Sequence, residues 1–289
     1  MDASKPSKTA DLVAAVRARH LKIYNPPIFV DPFAIHFCGK GWRRILGSKL
    51  LSWFVIDIML KDILPLAPWI ATRARYCEDI VDSMIEQGVE QYVIIGAGYD
   101  SFAMRRIDLA NRLTVFELDQ PGTQNEKFRR MAEFSIPTPK NVRYVDSDLN
   151  EVPLFTALKE NGFDTSKPTA FSWFGVTYYL PLETIVQTLQ SVADNSAKGS
   201  ALFFDFRIVL DQVPSEWVVA HEKCAKFVAR RGEPFLTEFA PDELSELVLD
   251  CGFSSTDIPD TETINLQYFS NMPASQKLTP TFRLCHAVC

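Results

Sequence analysis

From residue 71 onward the chain alternates between helical periodicity and short apolar runs, and that alternation leaves few folds open. The runs are YVIIGAG (92–98), LTVFELD (113–119), VRYVDSD (142–148), TAFSWFG (169–175) and SALFFDFR (200–207). Each is short, rich in β-branched or aromatic residues, and without the period of 3.6 that marks a helix. Several are separated by helical segments such as PLETIVQTLQSVADNSAKG (181–199), with Pro181 in its first turn and Gly199 beyond its end. Near-continuous apolar strands joined through helices imply a parallel sheet covered on both faces, the doubly wound α/β class. Two further helices follow the fifth run, and SSTDIPD and TFRLCHAV (254–260 and 281–288) suit a final pair of strands at one edge. The expectation is a seven-stranded sheet with one antiparallel strand.

Residues 1–70 read as a helical N-terminal cap. TADLVAAVRARHLKI is amphipathic, DPFAIHFCG begins with Asp-Pro in an N-cap arrangement, and SKLLSWFVIDIMLKDIL follows. Residues 71–289 form the core, with a helical lid insertion at about 208–250. The most apolar window, 51–61, is interrupted by Asp57 and is far too short for a membrane span, so it reads as a buried or cap helix.

A net charge of −6, from 30 basic and 36 acidic residues, supplies no global field for a phosphate backbone, so no nucleic-acid partner is expected. Six scattered cysteines without paired spacing suggest reduced thiols, with neither a metal site nor a disulfide framework. The N-terminus lacks the basic-then-apolar order of a secretory signal. The chain is therefore read as cytoplasmic, with no membrane partner.

In a doubly wound sheet, ligands bind beyond the carboxyl ends of the strands. After the first run come Gly96, Ala97 and Gly98, which allow a tight turn and a close approach to a ligand, although a plain turn is also consistent. After the second run comes Asp119, followed by Gln120. An ionised carboxylate there can accept two ribose hydroxyls at once; capping the next helix is the other reading. After the third run, Asp148 and Leu149 can offer an adenine an acceptor and an apolar face, with Asp146 as the rival acceptor. Together these strand ends describe an adenosine site.

The third glycine of the dinucleotide pattern is absent: Asp100 and Ser101 stand there. An aspartate behind the turn repels pyrophosphate but suits a ligand carrying an ammonium and a sulfonium. The cofactor expected is therefore S-adenosyl-L-methionine, with Asp100 supporting either the turn or the ammonium end.

The motifs VIIGAGYDSFAMR, FELDQPGTQNEK, VDSDLNE and GVTYYLP, preceded by ATRARYCEDIV and DPFAIHF, resemble the leucine carboxyl methyltransferase family, including its bacterial S-adenosylmethionine-dependent O-methyltransferase branch. The likeness runs from about Asp31 to about Arg207. It implies a class I methyltransferase fold with a helical cap and an insertion over the acceptor. It also implies that Arg73, by itself only a cation near a helix N-terminus, pairs with the methionine carboxylate. Gly96, Gly98, Asp119, Asp148 and Leu149 match the family's cofactor positions. One departure stands out: Phe174 replaces the glutamate that many members carry before GVTxYL. Trp173, Phe174 and Tyr178 could then offer aromatic faces to the sulfonium, at about 0.5–2 kcal/mol each, or pack as core.

Methyl transfer from a sulfonium to oxygen is an in-line displacement, for which a carboxylate acceptor needs no base and a hydroxyl usually does. The histidines are His20, His36, His221 and His286; His221 lies in the insertion expected over the acceptor. Arg207 can bind an acceptor carboxylate bidentately or pair with Asp205 or Asp211. Arg207, Tyr178 and His221 are thus the expected catalytic residues. Trp42, Trp53, Phe54, Tyr178, Tyr179 and Trp217 suggest an aromatic pocket for a small, largely apolar acceptor such as a polyketide-like or aromatic metabolite bearing a hydroxyl or carboxyl. The competing readings are a protein C-terminal carboxyl methyltransferase, a nicotinamide-dependent oxidoreductase, and a non-catalytic cofactor-binding member.

Overall fold

The computed structural model describes residues 6–147 and 152–289. Helix α1 (Lys8–Ile23) is capped by the Ser7 hydroxyl, which accepts from Ala10 N. Then come α2 (Lys40–Gly47), α3 (Lys49–Ser52), a π-helical stretch (Trp53–Met59) and the long α4 (Ala67–Glu86). The sheet and its helices follow: β1 (Gln91–Ile95), α5 (Phe102–Arg105), β2 (Thr114–Asp119), α6 (Pro121–Glu133), β3 (Val142–Asp146), α7 (Leu154–Glu160) and β4 (Thr169–Trp173). The remainder is α8 (Leu182–Asn195), β5 (Ala201–Arg207), α9 (Ser215–Ala229), α10 (Pro241–Asp250), β6 (Ser255–Asp257), α11 (Thr261–Phe269) and β7 (Phe282–Val288).

The strand order is β3-β2-β1-β4-β5-β7-β6, parallel except for β7, which runs antiparallel to both β5 and β6. The expected seven-stranded, mostly parallel sheet is the observed one. Every residue of β1, β4 and β5 is buried, as strands covered on both faces must be. The edge strand β6 is only three residues long, which limits the exposed hydrogen-bonding edge. One face packs Ile95, Leu118, Phe171, Trp173 and Phe204 against α7, α8 and α10; the other packs Tyr92, Ile94, Val115 and Phe203 against α4. Strand order reverses between β1 and β4, so a crevice opens at their carboxyl ends.

Three expectations about local structure change. DPFAIHF is a series of turns rather than a regular helix, because the Asp31 carboxylate accepts from Phe33 N and Ala34 N, each at 3.1 Å, and folds the chain locally. The expected boundary at residue 70 falls inside α4, where Pro68 sits in the first turn that tolerates it. Helix α10 belongs to the core, with Leu244 and Val248 fully buried, so only α9 and the loop after it remain of the proposed 208–250 lid.

Candidate active site

The crevice holds a cavity of about 280 Å³ built around the turn after β1. Gly96 and Gly98 have φ of +67° and +55°, and a Cβ on Gly96 would lie 2.8 Å from Val176 Cγ2. Both the backbone conformation and the space there require glycine. The Asp119 carboxylate accepts from Gly98 N at 2.5 Å and from Gln120 N at 2.7 Å, tying the end of β2 to the turn. Burial raises the Asp119 pKa against the pull of those two amides. Asp100 supports the turn: its Oδ1 accepts from Phe102 N at 2.6 Å at the start of α5, while Oδ2 lies 3.8 Å from Arg17 Nη1. It lines the cavity as well.

Arg73 enters from α4. Its Nη1 lies 2.6 Å from Asp205 Oδ2 and 3.3 Å from the Tyr178 hydroxyl. Asp205 also accepts from Trp69 Nε1 at 3.0 Å and from Gly175 N at 2.7 Å, so this carboxylate, wholly buried in β5, is fully partnered. Burial disfavours the Arg73 charge, and Asp205 with Tyr178 more than offsets it, so its pKa is held above the ordinary value. A Cβ on Gly175 would lie 3.0 Å from Arg73 Nη2. The guanidinium therefore meets backbone and cavity on one side and Asp205 on the other.

Of the residues expected to hold the cofactor, Arg73, Gly96, Ala97, Gly98, Asp100, Asp119, Gln120 and Phe174 line this cavity, as does Tyr178. Phe174 lies with its ring centroid 5.8 Å from Arg73 Cζ. Asp148 and Leu149 lie outside the described residues; Asp146 is exposed and lines no cavity, whereas Ser147 does. Trp173 is a correction. It is wholly buried on the opposite face of the sheet, 6.3 Å from the Phe204 ring, because adjacent strand residues point to opposite faces.

A second cavity of about 160 Å³ adjoins the first and shares Thr9, Val13, Ile70, Tyr178 and Tyr179 with it. Its wall is aromatic and aliphatic, with Trp42, Trp69, Phe227, Phe235 and Phe282 from the cap, α4, α9, the following loop and β7. Arg207 and His221 are corrections: neither lines either cavity. Arg207 is enclosed, with Nε 2.5 Å from Glu238 Oε1 and Nη2 donating to His221 O at 3.0 Å, and its partner is neither Asp205 nor Asp211. Its guanidinium also lies 4.6 Å from the Phe235 ring, so it braces the cavity wall from behind. His221 is buried beside Glu238, and burial with the Arg207 charge lowers its pKa to about 4. Of the expected aromatic lining, Trp53, Phe54 and Trp217 line neither cavity.

Sequence reasoning passed over several residues. Asp205 is one; a lone carboxylate within the apolar SALFFDFR was the available signal, since a buried carboxylate needs partners. Ser7, Thr9, Ala10, Val13 and Arg17 of the cap close the first cavity, and Glu233, which accepts from the Thr9 hydroxyl, joins the cap to the segment after α9. No local signal marks these.

A glycine turn that keeps side chains away from a ligand, a strand-end carboxylate, a guanidinium and aromatic faces line one cavity, a set compatible with S-adenosylmethionine. The fold and this donor set are those of a class I S-adenosylmethionine-dependent methyltransferase. The sequence model of leucine carboxyl methyltransferase matches residues 10–193, and the chain belongs to that family. It is 30% identical to YktD of Bacillus subtilis (strain 168), described as a candidate S-adenosyl-L-methionine-dependent methyltransferase, over 100% of this chain and 99% of that one. A protein of Mycolicibacterium paratuberculosis (strain ATCC BAA-968 / K-10) with the same description is 32% identical over 71% of this chain and 67% of its own. Among solved structures, a candidate methyltransferase from Thermobifida fusca YX superposes with a TM-score of 0.63 at 16% identity, covering 99% of this chain and 96% of that one. A DUF574-family protein from Streptomyces avermitilis MA-4680 gives 0.63 at 13% identity, covering 99% and 98%. At such identities these two speak for the fold. The cofactor is S-adenosylmethionine, and the activity is methyl transfer.

Proposed function

We propose that the chain methylates an oxygen of a small, largely apolar acceptor held in the second cavity, and that this oxygen belongs to a carboxylate rather than a hydroxyl. The cofactor supplies a methyl group on a sulfonium; the protein must hold the acceptor oxygen about 3–3.5 Å from that carbon and in line with the breaking bond. The observation that carries the reading is the composition of the second cavity: its described lining contains no Asp or Glu, but does contain Lys8, Arg19 and Arg231.

No lining group is suited to deprotonate a hydroxyl at neutral pH. His20 uses Nε2 to accept from Ile28 N and Phe29 N, at 3.0 and 3.4 Å, and burial lowers its pKa to about 4. Burial pushes the Cys224 thiol up to about 11 and the Tyr24 phenol up to about 12, and raises the Tyr178 phenol well above its ordinary value. A carboxylate arrives already ionised and is drawn to Lys8 and Arg231, whereas Arg19 is already paired with Asp57. The aromatic wall favours an aromatic or polyketide-like acid over a polar one.

The test is label transfer from S-adenosylmethionine carrying a tritiated methyl group to matched aryl carboxylic acids and phenols. Label on the acids that mild alkali releases as methanol supports the reading. Alkali-stable label on the phenols overturns the carboxylate assignment. Label confined to the protein fraction of a cell extract moves the acceptor to a polypeptide C-terminus.

A further inference from the structure

The apolar stretch expected to be a buried or cap helix has an exposed outer face. Leu50, Trp53, Phe54 and Met59 are 71%, 55%, 51% and 64% exposed, and Leu51 and Ile58 are exposed beside them. Leu50, Phe54 and Ile58 recur every four residues and so share one face of α3 and the π-helical stretch. Ile56 and Leu60 turn the other way and line the second cavity. One short segment thus forms the wall of the proposed acceptor site on its inside and an unpartnered apolar surface on its outside.

The charges around this face are one-sided. Lys40, Arg44, Lys49 and Lys61 are exposed, and none has an acidic partner among the described residues. The nearby acids are already matched: Asp57 lies 2.6 Å from Arg19 and Asp62 lies 2.9 Å from Lys223. A locally basic rim on a chain of net charge −6 has an electrostatic preference of its own, distinct from that of the whole molecule.

We propose that this face docks on an anionic lipid surface, with Trp53, Phe54 and the neighbouring aliphatic side chains in the interfacial layer and the four cations at the headgroups. Aromatic and aliphatic residues flanked by Lys and Arg on a short amphipathic segment are what such a surface binds. No helix among the described residues is long and apolar enough to cross a membrane, so the segment lies on the surface and does not span it. A second copy of the chain fits less well, because a two-fold contact would bring these unpaired cations near their own duplicates. The inference concerns the outer surface and stands whether or not the acceptor is a carboxylate.

Sedimentation of the full chain with lipid vesicles tests it. With vesicles of phosphatidylcholine and phosphatidylglycerol, most of the protein should pellet; with phosphatidylcholine alone, little should, and added salt should release the bound fraction. The double substitution W53S/F54S should lower partitioning at least tenfold while S-adenosylhomocysteine binding is unchanged, since neither residue lines a cavity. K49E/K61E should lower binding to the anionic vesicles in a chain that keeps every apolar contact. Wild-type protein that stays in the supernatant with anionic vesicles overturns the proposal. So does a homodimer in solution that W53S/F54S dissociates, which would assign the face to a second copy.

Discussion

Arg73 on α4 and Asp205 on β5 form a buried ion pair, 2.6 Å from Nη1 to Oδ2, with Arg73 lining the first cavity. The pair fixes the orientation of the guanidinium before any ligand arrives; Trp69 Nε1 and Gly175 N also donate to Asp205, and the Tyr178 hydroxyl accepts from Arg73 Nη1. Removing one partner leaves the other charge buried and unmatched, at a cost of about 3–5 kcal/mol. Asp205→Ala should therefore lower the urea midpoint strongly and weaken cofactor binding together. Arg73→Gln should also abolish measurable S-adenosylhomocysteine binding. Retention of full affinity by Arg73→Gln would remove Arg73 from the cofactor site.

Gly96 is constrained twice, by its φ of +67° and by Val176 Cγ2 at 2.8 Å from a would-be Cβ. Gly96→Ala should destabilise the protein by about 1–3 kcal/mol and reduce cofactor affinity at least tenfold. Adding Val176→Ala relieves only the steric part, so the double variant should recover part of the stability and not all of it. Thermal unfolding of the three proteins separates the two contributions.

How much of this was readable beforehand depends on what each residue answers to. Gly96, Gly98 and Asp119 were legible as residues of a tight turn and a strand end, and the structure places all three on one cavity. Trp173 and Phe174 are adjacent aromatics, and nothing in TAFSWFG says which one faces the cavity; only the strand's register does. Arg207 was legible as a cation needing a partner, but the partner, Glu238, is supplied by the loop after α9, a tertiary contact without a local signature. The closure of the first cavity by α1 is of the same kind. The stretch from Leu50 to Met59 shows the converse: high apolarity there does not report burial.

His20 accepts from two backbone amides through Nε2, and burial lowers its pKa from 6.5 to about 4. A histidine with a depressed folded-state pKa contributes stability above its unfolded pKa and loses it as pH falls toward the folded one. His221, also lowered to about 4, acts in the same direction. The urea midpoint should therefore fall between about pH 6.5 and about pH 4. His20→Gln keeps an acceptor that does not titrate in this window, and should make the decline shallower. An unchanged decline would place the acid sensitivity elsewhere.

The pKa of Asp119 is raised by burial, so its carboxylate is protonated at a higher pH than an ordinary aspartate. On the proposed role of Asp119 at the cofactor ribose, protonation removes acceptor capacity from that contact. Affinity for S-adenosylhomocysteine should fall as pH is lowered, beginning above the ordinary aspartate value of 3.8. Asp119→Asn should be weaker at neutral pH and show a flatter profile. Calorimetry across a pH series reads both effects.

The most direct test of the cofactor site is calorimetric titration of the wild-type chain and of Asp119→Ala with S-adenosylhomocysteine and with NAD. The geometry of the turn, Asp119 and Arg73 predicts one molecule of S-adenosylhomocysteine bound per chain and no detectable NAD. Asp119→Ala should lose about 1–3 kcal/mol of that affinity, the value of charged hydrogen bonds removed from a partly buried site. Unchanged affinity in Asp119→Ala, or NAD binding in place of S-adenosylhomocysteine, would contradict the account.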